Sequence, residues 1–190
     1  MDGKGQNNQH RTDKTEEKYK LEEITKVSFD YWFMGEEDHK AQRNPLMMMY
    51  DGDTTAVCPF AVGKKGVQDW VVRKLAKELE GWGLAQCKSI YNSDGEPSVM
   101  TVKRAVNAYL QNKVVMEESP VGEHASNGEV ESAIKVVRNQ FKVLRSALEG
   151  RIGQRIGPTE PILQWLMRWT GQMLNRFRVD KHGRTAYEII

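Results

Sequence analysis

The chain carries Val-Ser-Phe-Asp-Tyr-Trp-Phe-Met at residues 27–34. β-Branched and aromatic residues dominate this stretch, so it is predicted to be a strand. Asp30 stands in the middle of it, where aspartate is disfavoured because burial of a lone carboxylate costs free energy. Either the strand lies at a sheet edge with Asp30 facing water, or the carboxylate serves a function such as metal binding.

The rest of the chain predicts an α/β fold built around this strand. Three successive strands followed by alternating helices and strands predict a mixed five-stranded sheet flanked by helices. Residues 35–44 and 117–126 are predicted loops, and Asp51-Gly52-Asp53 is a hairpin turn signal. Pro59 is typical of an edge position or a bulge. The later strands are predicted at residues 46–50, 54–62, 85–91 and 114–116, and the helices at 67–79, 99–110, 127–148, 158–177 and 185–190.

Length and composition exclude several classes of protein. The 190 residues suit one domain at residues 21–190, preceded by a polar flexible arm or linker at residues 1–20. Two cysteines and four scattered histidines exclude a disulfide framework and a zinc finger. No apolar run approaches the roughly 18 residues of a membrane span, and the N-terminus lacks a signal-peptide pattern. We therefore expect neither a membrane partner nor secretion.

The charge is unevenly distributed along the chain. The net charge is only +2, yet eleven basic and three acidic residues lie between Ala133 and Arg184. A basic third of this kind indicates a polyanionic partner, of which nucleic acid is the commonest. The alternative is a pair of well-solvated helices, and charge alone does not decide between the two.

Two further carboxylates stand where functional groups are often built. Asp94 follows a predicted strand, at the kind of strand end where open α/β sheets place their sites. Asp-Gly after a strand is also an ordinary turn, so this signal is weak alone. Glu131 opens a long helix, whose start is indicated by the capping-box pattern Ser-Asn-Gly-Glu at residues 126–129.

Glu131 also heads a ridge of cations along that helix. From Val130 onward, apolar residues recur at steps of three and four residues, which places them on one side of the helix. The basic residues follow them by one position in the chain, so they form a second row beside the apolar side. The alternative is a solvent-facing row of salt bridges in which Glu131 pairs with its neighbour one turn on. The basic residues of the ridge are Lys135, Arg138, Lys142 and Arg145.

Asp30, Asp94 and Glu131 together predict a metal site. Three oxygen ligands from separate elements suit hard cations such as Mg²⁺ or Mn²⁺. Two such ions about 4 Å apart activate an attacking oxygen and stabilise a leaving oxygen at phosphorus. A basic ridge beside them would bind the phosphate backbone of a nucleic acid.

With these motifs the chain resembles the catalytic core of the integrases of retroviruses and LTR retrotransposons, which are DDE recombinases of the RNase H-like superfamily. The resemblance covers about residues 22–190. It rests on Asp30 in the first strand, Ser-Asp-Gly at residues 93–95, Asn-Gly-x-x-Glu at residues 127–131 and Thr-Ala-Tyr-Glu at residues 185–188. The 36 residues between Asp94 and Glu131 are close to the spacing typical of the family.

The resemblance implies a sheet whose first three strands are antiparallel and whose first and fourth strands are central neighbours. It implies a polynucleotidyl transferase that processes the 3′ ends of retroelement DNA and joins them to target DNA. Asp30, Asp94 and Glu131 would hold two Mg²⁺ or Mn²⁺ ions. A homo-oligomer acting on DNA is expected, in the nucleus if the element is eukaryotic. DNA contacts are expected from Asn127, Lys135, Arg138, Lys142 and Arg145.

The chain departs from the family pattern in several places. Ser-Asp-Gly-Glu stands at residues 93–96, where many relatives have Ser-Asp-Asn-Gly, and residues 35–44 are interpreted as an insertion. Asp51 and Asp53 are interpreted as turn residues rather than metal ligands. The chain includes neither the zinc domain nor the C-terminal DNA-binding domain of many integrases, so it is expected to be either a fragment of a polyprotein or a trimmed form of a longer protein.

Two other functions stay open at this stage. One is an RNase H-like nuclease or cut-and-paste transposase, with the same metal site and another nucleic acid as substrate. The other is a non-catalytic DNA-binding or assembly module derived from an integrase.

Three further expectations concern loops and packing. Residues 118–125 are expected to form a mobile flap beside the site. Methionines 47–49, Trp165, Leu166 and Trp169 are expected in the core. For the two tryptophans a subunit interface is the alternative.

Overall fold

The computed structural model describes residues 24–41, 43–118 and 124–190. The segment 1–20 and residues 119–123 of the expected flap lie outside the described residues. The strands are β1 (Thr25–Trp32), β2 (Leu46–Asp51), β3 (Val57–Ala61), β4 (Ser89–Ser93) and β5 (Val114–Glu118). The helices are α1 (Glu36–Ala41), α2 (Asp69–Gly81), α3 (Pro97–Leu110), α4 (His124–Ile152), α5 (Pro161–Phe177) and α6 (Ala186–Ile189).

Within these residues the strands form one mixed sheet of order β3-β2-β1-β4-β5. β1 pairs antiparallel with β2, and β2 pairs antiparallel with β3. β1 pairs in parallel with β4, and β4 with β5. The predicted mixed five-stranded sheet is therefore confirmed, with β1 and β4 as central neighbours. Pro59 lies in the edge strand β3, as predicted, because proline cannot donate to a second neighbour.

Both faces of the sheet are covered by helices, and successive residues of β1 point to opposite faces. Val27, Phe29 and Tyr31 belong to the apolar cluster that includes the buried residues of α2 and α3. Trp32 belongs to the second cluster, with the buried stripe of α4 and residues of α5. Asp30 has the same parity as Trp32, so its carboxylate lies on the face that α4 covers.

The edge strand β3 is shielded by α5. The side chain of Asn175 accepts a hydrogen bond from the Val57 amide and donates one to the Val57 carbonyl, both at 2.9 Å. Gly171 lets α5 approach closely, since a Cβ on this residue would lie 2.5 Å from Pro59 Cδ. The outward-facing peptide of an edge strand is thereby paired within the domain rather than left open to another chain.

Several predicted boundaries are wrong for identifiable local reasons. Residues 35–44 are not all loop, because α1 forms there with acidic residues first and His39 and Lys40 in its last turn, which suits the helix dipole. β3 begins at Val57 rather than at residue 54, because Thr54 bonds to Asp51 and closes the turn. β4 begins at Ser89 rather than at residue 85, since a turn precedes it.

Two predictions about the later helices are also corrected. α4 begins at His124, ahead of the predicted start at Asn127, and the side chains of residues 124–127 lie outside the described residues. Trp165 and Trp169 are 53% and 39% exposed, so the prediction that they pack in the core is wrong. The buried side of α5 runs through Leu166, and the two indoles on the neighbouring side stack on each other, 5.6 Å apart. Methionines 47–49 are buried, as predicted.

Among the described residues, no helix combines the length and the apolar character that a membrane crossing requires.

Gly171→Ala should destabilise the domain by about 1–3 kcal/mol, because the added methyl group would overlap the Pro59 ring and push α5 away from β3. Gly150→Ala is the matched control, since this α4 glycine has open space at its Cβ position. We expect it to stabilise the protein by about 0.5–1 kcal/mol through helix propensity. Urea unfolding of the two variants would show the opposite signs, and equal signs would contradict the close packing of α5 on β3.

Candidate active site

The three predicted carboxylates belong to elements that meet at the end of the sheet where β1 and β4 finish. Asp30 lies near the end of β1, and Asp94 is the first residue after β4. Parallel strands end on the same side of a sheet, so the pairing of β1 with β4 brings these two residues to a common edge. Glu131 lies on α4, the helix that packs over the same face of the sheet, directly after the buried Val130.

Electrostatics shows that these carboxylates influence one another. Burial, together with the charge of Asp94, raises the pKa of Asp30 from its ordinary 3.8 to about 7. A hydrogen bond from the Tyr31 backbone opposes the increase, and the charges of Glu96 and Glu131 add to it. Three acidic side chains thus act on the half-buried Asp30, and a cation would relieve this concentration of negative charge.

The donor chemistry of this cluster fits a hard divalent cation. Asp30, Asp94, Glu96 and Glu131 supply only carboxylate oxygens, the ligands that Mg²⁺ and Mn²⁺ prefer. As the side chains stand in the described part of the chain, no group of three or more His, Cys, Asp or Glu residues is positioned to hold a metal ion. The set fits such an ion by charge and ligand type, but not by the present positions of the side chains.

Asp94 is both a turn residue and a neighbour of Asp30, the two interpretations that its sequence motif allowed. Its Oδ1 accepts a hydrogen bond from the Glu96 amide at 3.3 Å, so Asp94-Gly95-Glu96 is a turn closed by the aspartate side chain. The same carboxylate raises the pKa of Asp30. The turn therefore orients Asp94 and does not remove it from the cluster.

Glu96 and Lys65 are residues of this region that sequence reasoning did not select. The Lys65 Nζ lies 2.9 Å from a Glu96 carboxylate oxygen, and the same ammonium lies over the rings of Tyr31 and Phe33, 5.5 and 5.2 Å from their centroids. The Ser98 hydroxyl also bonds to Glu96. The signal for Glu96 was the departure from the family motif at residues 93–96. No comparable signal existed for Lys65, since it belongs to a loop.

The basic ridge on α4 has a mixed character. Lys135 and Lys142 are exposed, as residues that bind DNA would need to be. Arg138 is half-buried, where it donates to the Phe33 carbonyl at 3.1 Å and lies over the Trp32 ring. Arg145 is bonded to Glu149 and to the Ile156 carbonyl. The side chain of Asn127 lies outside the described residues, so its DNA contact stays a prediction.

Asp51 and Asp53 occupy a turn, as predicted. Asp51 is only 1% exposed, and it accepts hydrogen bonds from the Asp53 amide at 3.1 Å and the Thr54 hydroxyl at 2.6 Å. These bonds close the connection between β2 and β3. The buried carboxylate is thus satisfied within its own turn.

A buried lysine fixes the strands on the far side of the site. Lys103 on α3 is 1% exposed, and its Nζ donates to the Tyr91 carbonyl of β4 at 3.0 Å and the Glu117 carbonyl of β5 at 2.8 Å. Burial lowers the pKa of Lys103 to about 8, against the opposing charges of Glu118, Glu117 and Asp94. Lys103 therefore joins α3 to both strands beneath the edge where Asp94 lies.

Asp30→Asn should remove a pH dependence of stability in the metal-free protein. The folded protein keeps the Asp30 proton up to about pH 7, whereas the unfolded chain releases it near 3.8, so wild-type stability falls as the pH rises through this window. We expect the variant to gain on the order of 2 kcal/mol over wild type between pH 4 and pH 8. Urea unfolding in EDTA measures the gain, with the exposed turn residue Asp53→Asn as the control. A gain that is the same at both pH values would contradict the proton assignment.

Lys103→Met should destabilise the protein by about 2–4 kcal/mol, because the buried Tyr91 carbonyl and the partly buried Glu117 carbonyl lose their donor. Arg104→Met is the control, since the neighbouring arginine is exposed and makes only a surface ion pair with Glu118 at 3.9 Å. Thermal or urea unfolding of the two variants provides the comparison. Similar small losses in both would show that Lys103 does not join the strands.

The fold is similar to solved integrase structures. A chain of the simian T-cell lymphotropic virus intasome, solved with PP2A regulatory subunit B56 gamma, matches 86% of this chain with a TM-score of 0.62 and 14% identity. This chain covers about half of that one, 52%. The BIV integrase catalytic core domain matches 86% of this chain with a TM-score of 0.55 and 14% identity, and 91% of it is covered.

A third structure, the HTLV-2 integrase catalytic core domain in complex with magnesium in a trimeric form, gives a TM-score of 0.56 and 15% identity. The match covers 86% of this chain and 94% of that domain. Neither a protein-family model nor a curated protein sequence matches the chain. The described residues therefore have the RNase H-like fold of retroviral integrase catalytic core domains, as the sequence motifs predicted.

Proposed function

We propose that this chain is the catalytic core of a retroelement integrase, which processes the 3′ ends of the element's DNA and joins them to target DNA. The observation that carries the proposal is the placement of the half-buried Asp30 and of Asp94 at the ends of the paired strands β1 and β4, on the side of the sheet that α4 covers with Glu131. The sequence motifs indicate the same three residues. The fold that this chain shares with solved integrase cores supports the proposal.

In this proposal Asp30, Asp94 and Glu131 hold two Mg²⁺ or Mn²⁺ ions. The ions, when bound, would supply charge stabilisation at the reacting phosphodiester and lower the pKa of an attacking oxygen. The HTLV-2 core is a relative in fold that was solved with magnesium. In this chain the three carboxylates belong to β1, to the end of β4 and to α4, so each would approach the ions from a different element.

The protein's own part in the reaction is to bind and orient DNA. In the first step water displaces the 3′-terminal fragment from a phosphodiester, and in the second the freed 3′-hydroxyl displaces an oxygen of a target phosphodiester. Both are phosphoryl transfers in which positioning and charge stabilisation dominate. The exposed Lys135 and Lys142 of α4 would bind the phosphate backbone beside Glu131, with Arg138 nearer the carboxylates. No side-chain nucleophile is needed.

Assembly into homo-oligomers is part of the proposal. The stacked Trp165 and Trp169 form an exposed aromatic pair on α5, which suits a contact with a second copy. The HTLV-2 core was solved in dimeric and trimeric forms. In a eukaryotic host the proposed reaction would take place in the nucleus.

Asp94→Asn and Glu131→Gln should each lower nicking and strand joining of a short branched DNA by about 10²-fold or more, because each removes a carboxylate from the centre that stabilises the transition state. Glu129→Gln is the matched control, since this exposed glutamate lies two residues before Glu131 on the same helix. We expect it to retain activity within about threefold. The assay uses Mg²⁺ or Mn²⁺ against EDTA.

Three outcomes would count against the proposal. Activity that persists in EDTA would exclude a metal-dependent transferase. Activity that survives both substitutions would exclude the carboxylate cluster as the active site. Inactive protein that still binds DNA in a mobility-shift assay would instead support a binding or assembly module.

A further inference from the structure

The two edges of the sheet differ in what lies next to them. The edge strand β3 is shielded by α5, through the paired bonds between Asn175 and Val57. At the other edge, β5 pairs in parallel with β4 on its inner side. Within the described residues no further strand pairs with its outer side. Outward-facing amide and carbonyl groups of an edge strand are a template for pairing with another strand.

The rest of the domain fixes β5 at both of its ends. Directly before the strand, the Asn112 side chain donates to the Leu84 carbonyl at 3.1 Å. Near its end, the Glu117 carbonyl accepts a bond from Lys103 at 2.8 Å. The Glu117 carboxylate also lies 3.0 Å from the Lys26 Nζ. An edge strand that is already ordered loses little conformational entropy when a second strand pairs with it.

The side chains of this edge alternate between the two faces of the sheet. Val114 and Met116 pack against the apolar cluster of α2 and α3. Lys113, Val115 and Glu117 belong to the opposite face, and all three are exposed. On that face an apolar residue that is 49% exposed is thus flanked by a cation on one side and a carboxylate on the other. A second copy of this segment, running in the opposite direction, presents the reversed order of charges.

Charge complementarity selects one register for such a pair. Outward-facing backbone groups come from every second residue, so a two-fold symmetric antiparallel pair has its axis at a residue of β5. With Val115 on the axis, Lys113 of each copy lies opposite Glu117 of the other, and opposite charges stabilise a cross-strand pair. Val114 then lies opposite Met116. With Met116 on the axis, Glu117 would lie opposite Val115 and the carboxylate would have no cation across the interface.

We propose that β5 is a self-association edge, through which two copies of this domain pair antiparallel around Val115 and join their sheets into one. The inference goes beyond the proposed integrase function and does not depend on it. It also differs from the contact proposed for Trp165 and Trp169, since α5 covers the opposite edge of the sheet. Charged residues at a sheet edge normally oppose pairing. Here their order restricts pairing to a strand with the reversed order, which a second copy supplies.

Disulfide trapping tests the register. Directly opposite Cα atoms of an antiparallel pair lie about 4.5–5.5 Å apart, a distance that a disulfide can span. In a Cys87→Ser background, which removes the exposed native thiol, Val115→Cys should form a covalent homodimer under mild oxidation. Glu118→Cys in the same background is the matched control, because this exposed residue of β5 would lie about 20 Å from its copy. We expect the dimer yield on a non-reducing gel to differ about tenfold or more.

Charge exchange tests the pairing of Lys113 with Glu117. Sedimentation equilibrium over a concentration series measures self-association, in a Trp165→Ser, Trp169→Ser background that removes the other proposed contact. Lys113→Glu should weaken self-association about tenfold or more, because it places like charges opposite each other twice in the symmetric pair. Adding Glu117→Lys should restore it to within about threefold. Lys181→Glu is the control, since it makes the same charge change at an exposed residue after α5 and should have less than a twofold effect.

The outcomes decide this inference separately from the proposed function. Equal cross-linking of Val115→Cys and Glu118→Cys, or of neither, would overturn the interface whether or not the protein joins DNA. Efficient cross-linking of Met116→Cys with little at Val115→Cys would overturn the register. A double charge exchange that does not restore association would overturn the pairing of the two charged residues. Selective cross-linking at Val115 and restored association, in a protein that joins no DNA, would uphold the interface and count against the proposed function.

Discussion

The parallel pairing of β1 with β4 at the centre of the sheet is the constraint on which the candidate site depends. Val27 pairs with Tyr91 and Ser28 with Asn92, which sets the register of the two strands. Because both strands run in the same direction, Asp30 and Asp94 reach the same edge. A slip of one residue would turn Asp30 to the opposite face, away from α4 and Glu131.

The rest of the domain maintains that pairing. On one face, α2 and α3 cover the apolar side of β1, and Lys103 ties α3 to the carbonyls of β4 and β5. On the other face, the buried stripe of α4 packs against Trp32 and Met48. Partial burial of Asp30 near other carboxylates is unfavourable by itself, so this packing must hold it in place. An unfavourably placed charged group inside an otherwise well-packed domain is typical of functional sites.

Local patterns predicted what depends on neighbouring residues in the chain. The strand character of β1 and the apolar stripe from Val130 to Phe141 follow from side-chain type and spacing, and both are confirmed. Predicted strand boundaries were wrong where a side-chain hydrogen bond, which hydrophobic spacing does not show, ends the strand. The bond from Thr54 to Asp51, for example, makes β3 begin later than predicted. The two tryptophans of α5 misled the prediction because hydrophobicity alone does not show which side of a helix a partner covers.

The sequence by itself determined the order of the five strands and of the helices other than α1, the anomalous Asp30 and the spacing of Asp94 and Glu131, because these are properties of the chain read in one dimension. Only the tertiary structure decided that Glu96 joins those carboxylates, that Lys65 crosses over from a loop to pair with it, and that Arg138 turns inward to the Phe33 carbonyl. The physical reason is that such contacts form between segments far apart in sequence, and the sheet register and helix packing bring them together. A pattern of neighbouring residues does not show which distant segments will come into contact.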